Sequence, residues 1–249
     1  MNVKKLLLGI VIIVPIVAMA GFILWAYTPL GPMPEALDAM ESNPRVNVEE
    51  NSWIIFAPTK ESNNTGLIFY PGGRVDPRSY APAAMQFAER GYLTVIVPMP
   101  LNLAIFGSDR ADEVIAHFPE IDNWVIAGHS LGGSMAARYA FRNLDDVDGL
   151  VLWAAYPAEG DDLSNSAISS ASIFGTNDGL VSDQDILIAE SNLPEDNLFQ
   201  LINGGNHAQF GWYGEQAGDN AAEISREQQQ MMIISTTNQI LNQIKTGNN

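Results

Sequence analysis

The residues of this chain that could carry out chemistry centre on a serine between glycines. Gly128-His129-Ser130-Leu131-Gly132 ends an apolar strand pattern over residues 123–128 and precedes an alanine-rich stretch. A Gly-x-Ser-x-Gly motif between a strand and a helix holds the serine hydroxyl in a strained turn. The glycines let the strand and the helix approach closely. The pattern therefore predicts that Ser130 is a nucleophile.

A serine hydroxyl needs a base within hydrogen-bond reach, and that base is oriented by a carboxylate. The chain has three histidines. His117 lies in a helical stretch with acids nearby, which predicts a surface position. His129 is predicted to point away from the hydroxyl of Ser130 and to be structural. His207 directly follows the last predicted strand on a glycine-rich loop, so we predict it to be the base.

The carboxylate is expected at a strand end between the serine and the histidine. Asp178 comes four residues after the apolar run 171–174, in a turn made by Asn177 and Gly179, and we predict it to be the orienting acid. Two other acids, Asp161 and Asp162, follow the preceding strand and are the alternatives. A further one, Asp183, fits the start of a helix.

Acyl transfer also requires N–H donors that stabilise a developing oxyanion. The N–H of Leu131, at the start of a helix, is the first candidate. The second is expected on the loop Pro71-Gly72-Gly73-Arg74, where either Gly72 or Gly73 could supply it. Position along the chain also suggests three residues that contact the substrate: Arg74, Tyr156 and Phe210.

Short β-type runs alternate with helical ones along residues 35–249. Strands are predicted at 52–58, 66–72, 92–100, 123–128, 147–156, 167–175 and 197–203, and helices at 79–91, 108–118, 131–142, 182–191 and 220–245. Strands that are apolar on both faces and separated by helices call for a mostly parallel sheet covered on both sides. The predicted fold class is a three-layer α/β/α sandwich. In such sheets, functional groups gather at the carboxyl ends of the strands.

The motifs resemble those of the α/β-hydrolase superfamily, and more closely its compact, capless, dienelactone-hydrolase-like esterases. The segments "YPGGRVDPRSYAPAAMQFAERGY", "GHSLGGSMAARYA", "GTNDGLV" and "GGNHAQF" stand in the family's order. The resemblance implies a catalytic triad of Ser130, Asp178 and His207, with Gly73 and Leu131 in the oxyanion hole. Pro71-Gly72-Gly73 stands where the family often has His-Gly. About ten residues separate two predicted strands where many lipases insert a lid, so we expect an open site.

The first 34 residues are predicted to form a cytoplasmic stub, an anchor and a linker. Lys4 and Lys5 precede an uncharged run of 22 residues, 6–27, that would form a helix roughly 33 Å long and cross a membrane. The lysines predict that the following domain lies outside the cell membrane. Alternatively, Ala18-Met19-Ala20 fits a signal-peptide cleavage site, which would release a secreted domain.

Composition narrows the class of function. The formal net charge of −17 argues against binding of nucleic acid, and the absence of cysteine excludes thiolate chemistry. We expect a membrane-anchored serine hydrolase that cleaves a small-molecule carboxylic ester and needs no metal or organic cofactor. The alternatives are thioesterase, peptidase or acyltransferase chemistry on the same triad, or an idle domain of the same fold used for binding.

Overall fold

Eight strands form one sheet in the computed structural model of the chain, which describes residues 3–60 and 63–247. They are β1 Val46–Glu50, β2 Ile54–Pro58, β3 Thr65–Tyr70, β4 Leu93–Ile96, β5 Asn123–His129, β6 Gly149–Trp153, β7 Ser169–Gly175 and β8 Leu198–Ile202. Their order in space is β1-β2-β4-β3-β5-β6-β7-β8. The pairs β1/β2 and β2/β4 are antiparallel, and the other neighbours are parallel.

The α-helices of the described residues are α1 Val3–Ala26, α2 Pro34–Asp38, α3 Ala81–Ala88, α4 Ala111–His117, α5 Leu131–Arg142, α6 Asp183–Asn192 and α7 Arg226–Gly247. Alternate residues of the central strands point to opposite faces of the sheet. On β3, Leu67 and Phe69 pack with residues of α3 and α7, whereas Ile68 and Tyr70 pack with residues of α4 and α5. Both faces are therefore covered, and the predicted three-layer fold class is confirmed.

The sequence patterns found β2 to β8 and helices α3 to α7, with ends that differ by a few residues. They missed β1 and α2. Strand β1 reads Val-Asn-Val-Glu-Glu, and its alternate residues are solvent-exposed because it lies at the edge of the sheet. With three polar residues out of five, the sequence of β1 resembles that of a loop. The last helix begins at Arg226 instead of residue 220.

The register of the parallel strands brings three loops to one edge of the sheet. Gly128 near the end of β5 pairs with Tyr70 at the end of β3, and Gly175 at the end of β7 pairs with Ile202 at the end of β8. The loops that follow β3, β5, β7 and β8 therefore leave the sheet at the same edge. These loops carry the residues that the sequence singled out.

Helix α1 does not support the predicted membrane span over residues 6–27. The predicted span falls on α1, and its first residues, 6–10, lie outside those whose side chains the structure describes. Within the described ranges, no helix is long and apolar enough to cross a membrane. The location of the domain outside the cell membrane stays a prediction.

The segment predicted to be a linker packs against the domain. Leu30 forms a β-bridge with Val75, and Pro32 forms another with Tyr213. Asn102 Nδ2 donates to the carbonyl of Ala26 at 3.0 Å. The residues after α1 are thus held by hydrogen bonds to the loop that follows β3 and to the loop that follows β8.

We predict that Gly132→Ala unfolds or strongly destabilises the protein. A Cβ at Gly132 would overlap the backbone carbonyl oxygens of Tyr70 and Pro71, which cannot move without breaking the end of β3. We expect a loss of about 3 kcal/mol or more in the free energy of unfolding, measured by urea denaturation. At Gly160 an added Cβ meets no atom within 4 Å, so Gly160→Ala should change stability by less than about 0.5 kcal/mol. Equal stability of the two variants would contradict the close packing.

Candidate active site

Ser130 occupies a strained turn between β5 and α5. Its backbone has φ 52° and ψ −126°, a conformation that residues with a side chain rarely adopt. Its N–H donates to the carbonyl of Trp153 at 2.9 Å, which ties the turn to the end of β6. A Cβ at Gly128 would lie 2.6 Å from the carbonyl carbon of Gly132. The two glycines therefore allow the turn, and Ser130 remains partly exposed.

His207 and Asp178 form a buried pair on the loops after β8 and β7. His207 Nδ1 lies 2.8 Å from Asp178 Oδ2, and the two side chains are 1% and 2% exposed. Asp178 Oδ1 accepts hydrogen bonds from the N–H groups of Leu180 at 2.8 Å and Val181 at 2.9 Å. Both carboxylate oxygens therefore have donors, and the carboxylate fixes which edge of the imidazole faces it.

No hydrogen bond joins Ser130 to His207 in the part of the chain that the structure describes. His207 Nε2 is buried and has no protein partner. Such contacts are often long in unliganded enzymes and tighten when substrate binds. The structure brings Asp178 and His207 into contact and leaves the second imidazole nitrogen without a partner among the described residues.

His129 lies directly behind the His207 ring, with ring centroids 4.6 Å apart. Its Nδ1 lies 2.8 Å from the hydroxyl of Tyr80, and that hydroxyl accepts a hydrogen bond from the N–H of Gly72 at 3.0 Å. The Tyr80 hydroxyl thus links the N–H of Gly72 to Nδ1 of His129. Burial, reinforced by the nearby His207, holds the pKa of His129 well below its usual value of 6.5. His129 is thus a neutral structural residue, as its position in the sequence suggested.

The same hydrogen bond distinguishes the two glycines of the loop after β3. The N–H of Gly72 is occupied by Tyr80. Within the described part of the chain, neither the N–H of Gly73 nor that of Leu131 has an acceptor. A Cβ on Gly73 would lie 3.5 Å from Cβ of Leu131, so these two residues are neighbours. Of the two candidates, the geometry favours Gly73 as the partner of Leu131.

Two of the three predicted substrate contacts have other roles in the structure. Arg74 donates from Nε to the carbonyl of Trp25 at 2.8 Å and from a terminal nitrogen to that of Thr28 at 2.7 Å, and its guanidinium stacks 4.2 Å above the Trp25 ring. Its side chain is therefore bound by the end of α1 and by Thr28, two residues after it. Phe210 is fully buried and its ring stacks on that of His129. It therefore packs inside the domain against this histidine.

Tyr156, the third predicted contact, is partly exposed after β6. Its carbonyl accepts a hydrogen bond from the hydroxyl of Ser134 in α5 at 2.8 Å. Burial and the adjacent Asp185 raise the pKa of the Tyr156 hydroxyl.

The alternative acids and the remaining histidine lie away from the His207 pair. Asp161 is bonded to Arg138 at 3.0 Å, and Asp162 accepts from the N–H of Ser164 at 2.9 Å. Asp183 is the first residue of α6, as predicted. His117 is exposed at the end of α4, as expected for a surface residue. In the described ranges, no group of three or more histidine, aspartate or glutamate residues could hold a metal ion.

The sequence did not point to two residues that organise the site. Tyr80 links the loop after β3 to His129 through its hydroxyl. Asp219 accepts hydrogen bonds from the backbone of both loops that carry the acid and the histidine. Tyr80 lies inside the family-like segment that begins at Tyr70, but its contact with His129 spans 49 residues. Asp219 belongs to no motif quoted from the sequence.

A serine in a strained strand–helix turn, followed in sequence by an acid and a histidine on later strand ends, defines the site of an α/β hydrolase. A sequence model of the alpha/beta hydrolase family matches residues 66–231. The chain belongs to this family, and the resemblance drawn from its motifs is confirmed. Among curated proteins, none matches its sequence.

Solved structures share the fold at low sequence identity. A Thermoplasma acidophilum protein described as a CIB-like hydrolase is 18% identical, with a TM-score of 0.56 over 79% of this chain and 99% of its own. Thermogutta terrifontis esterase 2, phosphorylated by paraoxon, is 14% identical, with a TM-score of 0.54 over 82% and 95%. A Klebsiella pneumoniae protein assigned to the dienelactone hydrolases is 12% identical, with a TM-score of 0.56 over 78% and 99%.

We predict that Tyr80→Phe destabilises the protein by about 2 kcal/mol. The change leaves the N–H of Gly72 and Nδ1 of His129 without a partner in a buried place. Tyr92→Phe is the matched control, because the Tyr92 hydroxyl bonds to Asn242 at 2.7 Å in a partly exposed contact, and it should cost less than about 1 kcal/mol. Urea denaturation of both variants measures the difference. A smaller loss for Tyr80→Phe than for Tyr92→Phe would refute the buried network.

We predict that stability falls as the pH drops below about 6.5, in part because of His129. Its folded pKa is lowered, so the unfolded chain binds the proton first and the stabilisation present above pH 6.5 is lost on acidification. Between pH 6.5 and pH 5 this one group can account for at most about 2 kcal/mol. His129→Asn should reduce the difference between urea midpoints at pH 7.5 and pH 5, and His117→Asn should not. An unchanged pH dependence in His129→Asn would contradict the assignment.

Proposed function

We propose that this protein is a serine hydrolase that cleaves carboxylic esters through an acyl-enzyme intermediate. The observation that carries the proposal is the buried Asp178–His207 pair, 2.8 Å between Nδ1 and Oδ2, whose free Nε2 lies at the sheet edge from which Ser130 also projects. A buried imidazole held by a carboxylate on one nitrogen and left free on the other is suited to act as a general base.

In the proposed reaction, the Ser130 oxygen attacks the ester carbonyl carbon while its proton passes to Nε2 of His207. Asp178 accepts a hydrogen bond from the Nδ1–H of the resulting imidazolium and stabilises its charge without taking the proton. The imidazolium then gives its proton to the leaving alkoxide, which departs as the alcohol. A water molecule attacks the acyl-enzyme by the same route, giving its proton to His207, and releases the carboxylic acid and the Ser130 hydroxyl.

The negative charge on the carbonyl oxygen would be stabilised by the N–H groups of Gly73 and Leu131. Both lack an acceptor in the described residues, and Leu131 is the first residue of the 12-residue helix α5. The positive end of that helix dipole favours an oxyanion. Each such donor is worth roughly 3 kcal/mol of transition-state stabilisation in other hydrolases.

The substrate would be a small-molecule ester that enters an open site. Residues 154–168, between β6 and β7, contain turns and irregular segments but no helix, so no lid domain is inserted there. The paraoxon-phosphorylated esterase shares the fold, which supports organophosphorus reagents as probes. Arg74 and Tyr156 are both partly exposed, but Trp25 and Thr28 bind the guanidinium of Arg74. We therefore propose that Tyr156 lines the substrate site.

We predict that a fluorophosphonate probe labels the full-length protein on Ser130. Ser130→Ala and His207→Ala should abolish labelling, and Asp178→Asn should slow it about 10⁴-fold because the imidazole loses its orienting acceptor. His117→Ala removes an exposed histidine outside the site and should label like the wild type. Gel fluorescence at several time points gives the rates, and peptide mass spectrometry locates the modified residue. A folded wild type that stays unlabelled would refute the proposed nucleophile.

The acyl chemistry is tested by rates on p-nitrophenyl esters, acyl thioesters and peptides of matched acyl groups. If the protein is an esterase, kcat/KM should be highest for the esters. Ser130→Ala should abolish this ester hydrolysis. Preference for thioesters or peptides would replace the ester assignment while keeping the triad. Labelling without turnover of any of the three classes would favour transfer of the acyl group to an acceptor other than water.

A further inference from the structure

We propose that Asp219 is a positioning residue that holds Asp178 and His207 at hydrogen-bond distance from each other. This inference rests on the proposed function and adds to it a residue outside the triad. Asp219 lies between the 3₁₀ turn Ala208–Phe210 and helix α7, in a turn closed by a hydrogen bond from its own N–H to the carbonyl of Gln216 at 3.1 Å.

The carboxylate of Asp219 joins the backbones of the two loops that carry the acid and the base. Its Oδ1 accepts from the N–H of Gly179, the residue after Asp178, at 3.0 Å, and from the N–H of His207 itself at 3.2 Å. Its Oδ2 accepts from the N–H of Ala208 at 2.8 Å. One side chain therefore bonds to the residue next to the acid, to the base and to the residue after the base.

The packing around Gly179 shows that residues 218–220 lie close to the loop that carries Asp178. A Cβ on Gly179 would lie 2.8 Å from the N atom of Asn220 and 2.9 Å from Cα of Asp219. Asn206 Nδ2, just before the histidine, donates to the carbonyl of Asn220 at 2.7 Å. Residues 218–220 thus lie against both loops at backbone distance, and Asp219 supplies the charged acceptor at their centre.

The loops need such a connection because β7 and β8 end before the residues that act. Strand β7 ends at Gly175, three residues before Asp178, and β8 ends at Ile202, five residues before His207. In the part of the chain that the structure describes, direct backbone hydrogen bonds between the two loops continue only as far as the N–H of Asn177 and the carbonyl of Gly205, at 2.8 Å. Asp219 bonds to the residues beyond that pair. Hydrogen bonds to a carboxylate are about twice as strong as neutral ones, and Asp219 makes them to both loops at once.

Loss of Asp219 should slow catalysis without weakening substrate binding. A displacement of about 1 Å in a catalytic group can cost about 100-fold in rate. In the full-length protein we expect Asp219→Ala to lower kcat on an active p-nitrophenyl ester, and the rate of fluorophosphonate labelling, by 10- to 100-fold, with KM changed less than threefold. Asp219→Asn keeps one acceptor oxygen and should fall between the alanine variant and the wild type.

Asp148→Ala is the matched control. Asp148 Oδ2 also accepts a backbone hydrogen bond, from Trp124 at 2.9 Å, but at the amino end of β5, opposite the site. It should leave kcat within threefold of the wild type even if it lowers the urea midpoint. A kcat for folded Asp219→Ala within threefold of the wild type would overturn the inference, as would an equal loss in both variants.

A spectroscopic readout separates this inference from the proposed function. The proton between His207 Nδ1 and Asp178 should give a downfield ¹H NMR signal that is lost in His207→Ala and in Asp178→Asn. In Asp219→Ala and Asp219→Asn the signal should shift or broaden, and in Asp148→Ala it should not. An unchanged signal in both Asp219 variants would overturn the positioning role. If the signal changes in the Asp219 variants but the wild type neither reacts with the probe nor hydrolyses esters, the proposed hydrolase function is refuted. The positioning role of Asp219 would then still hold.

Discussion

The contact on which the rest of the site depends is the backbone packing between the first turn of α5 and the end of β3. Gly132 lies so close to the carbonyls of Tyr70 and Pro71 that no side chain fits between them. This contact forces the chain to turn sharply after β5, and the turn places Ser130 in the left-handed region at φ 52°. It also brings Leu131 beside Gly73, so that two unoccupied N–H groups lie next to the serine. Because Gly132 has no side chain, the Ser130 hydroxyl and the N–H groups of Gly73 and Leu131 can lie close together.

The second constraint is the cost of burying charge at the edge of the sheet. A buried carboxylate without partners would be strongly unfavourable, and Asp178 offsets this cost with two backbone donors and the imidazole of His207. The two adjacent imidazoles pose a related difficulty, because two positive charges 4.6 Å apart would repel each other. The lowered pKa of His129 removes it. Since His129 remains neutral, it places no positive charge beside the His207 ring.

Local patterns predicted most of this architecture because the central strands are apolar on both faces and the serine lies in a motif with its own geometry. They also placed Asp178 and His207 on strand ends, which the register brings to one edge. They did not reveal contacts that depend on a partner distant in sequence. Arg74 looked like a substrate contact because it follows two glycines of the same loop, and nothing near it in sequence indicates that Trp25 and Thr28 occupy its guanidinium. Likewise, the sequence around Asp219 does not indicate that its carboxylate bonds to Gly179 and His207.

The contacts of Arg74 also hold the loop after β3, which carries Gly73. Arg74 has φ 57°, a conformation that costs free energy in a residue with a side chain, and it directly follows Gly73. Three groups of bonds hold it there. Its guanidinium bonds to the end of α1, its N–H donates to the carbonyl of Asn102 at 2.7 Å, and its own carbonyl accepts from the N–H of Leu30 at 2.7 Å. The segment after α1 therefore acts as part of the loop that presents Gly73, because it supplies the bonds that offset the strain beside it. The amino-terminal segment and the loop after β3 form one structural unit, although about 45 residues separate them in sequence.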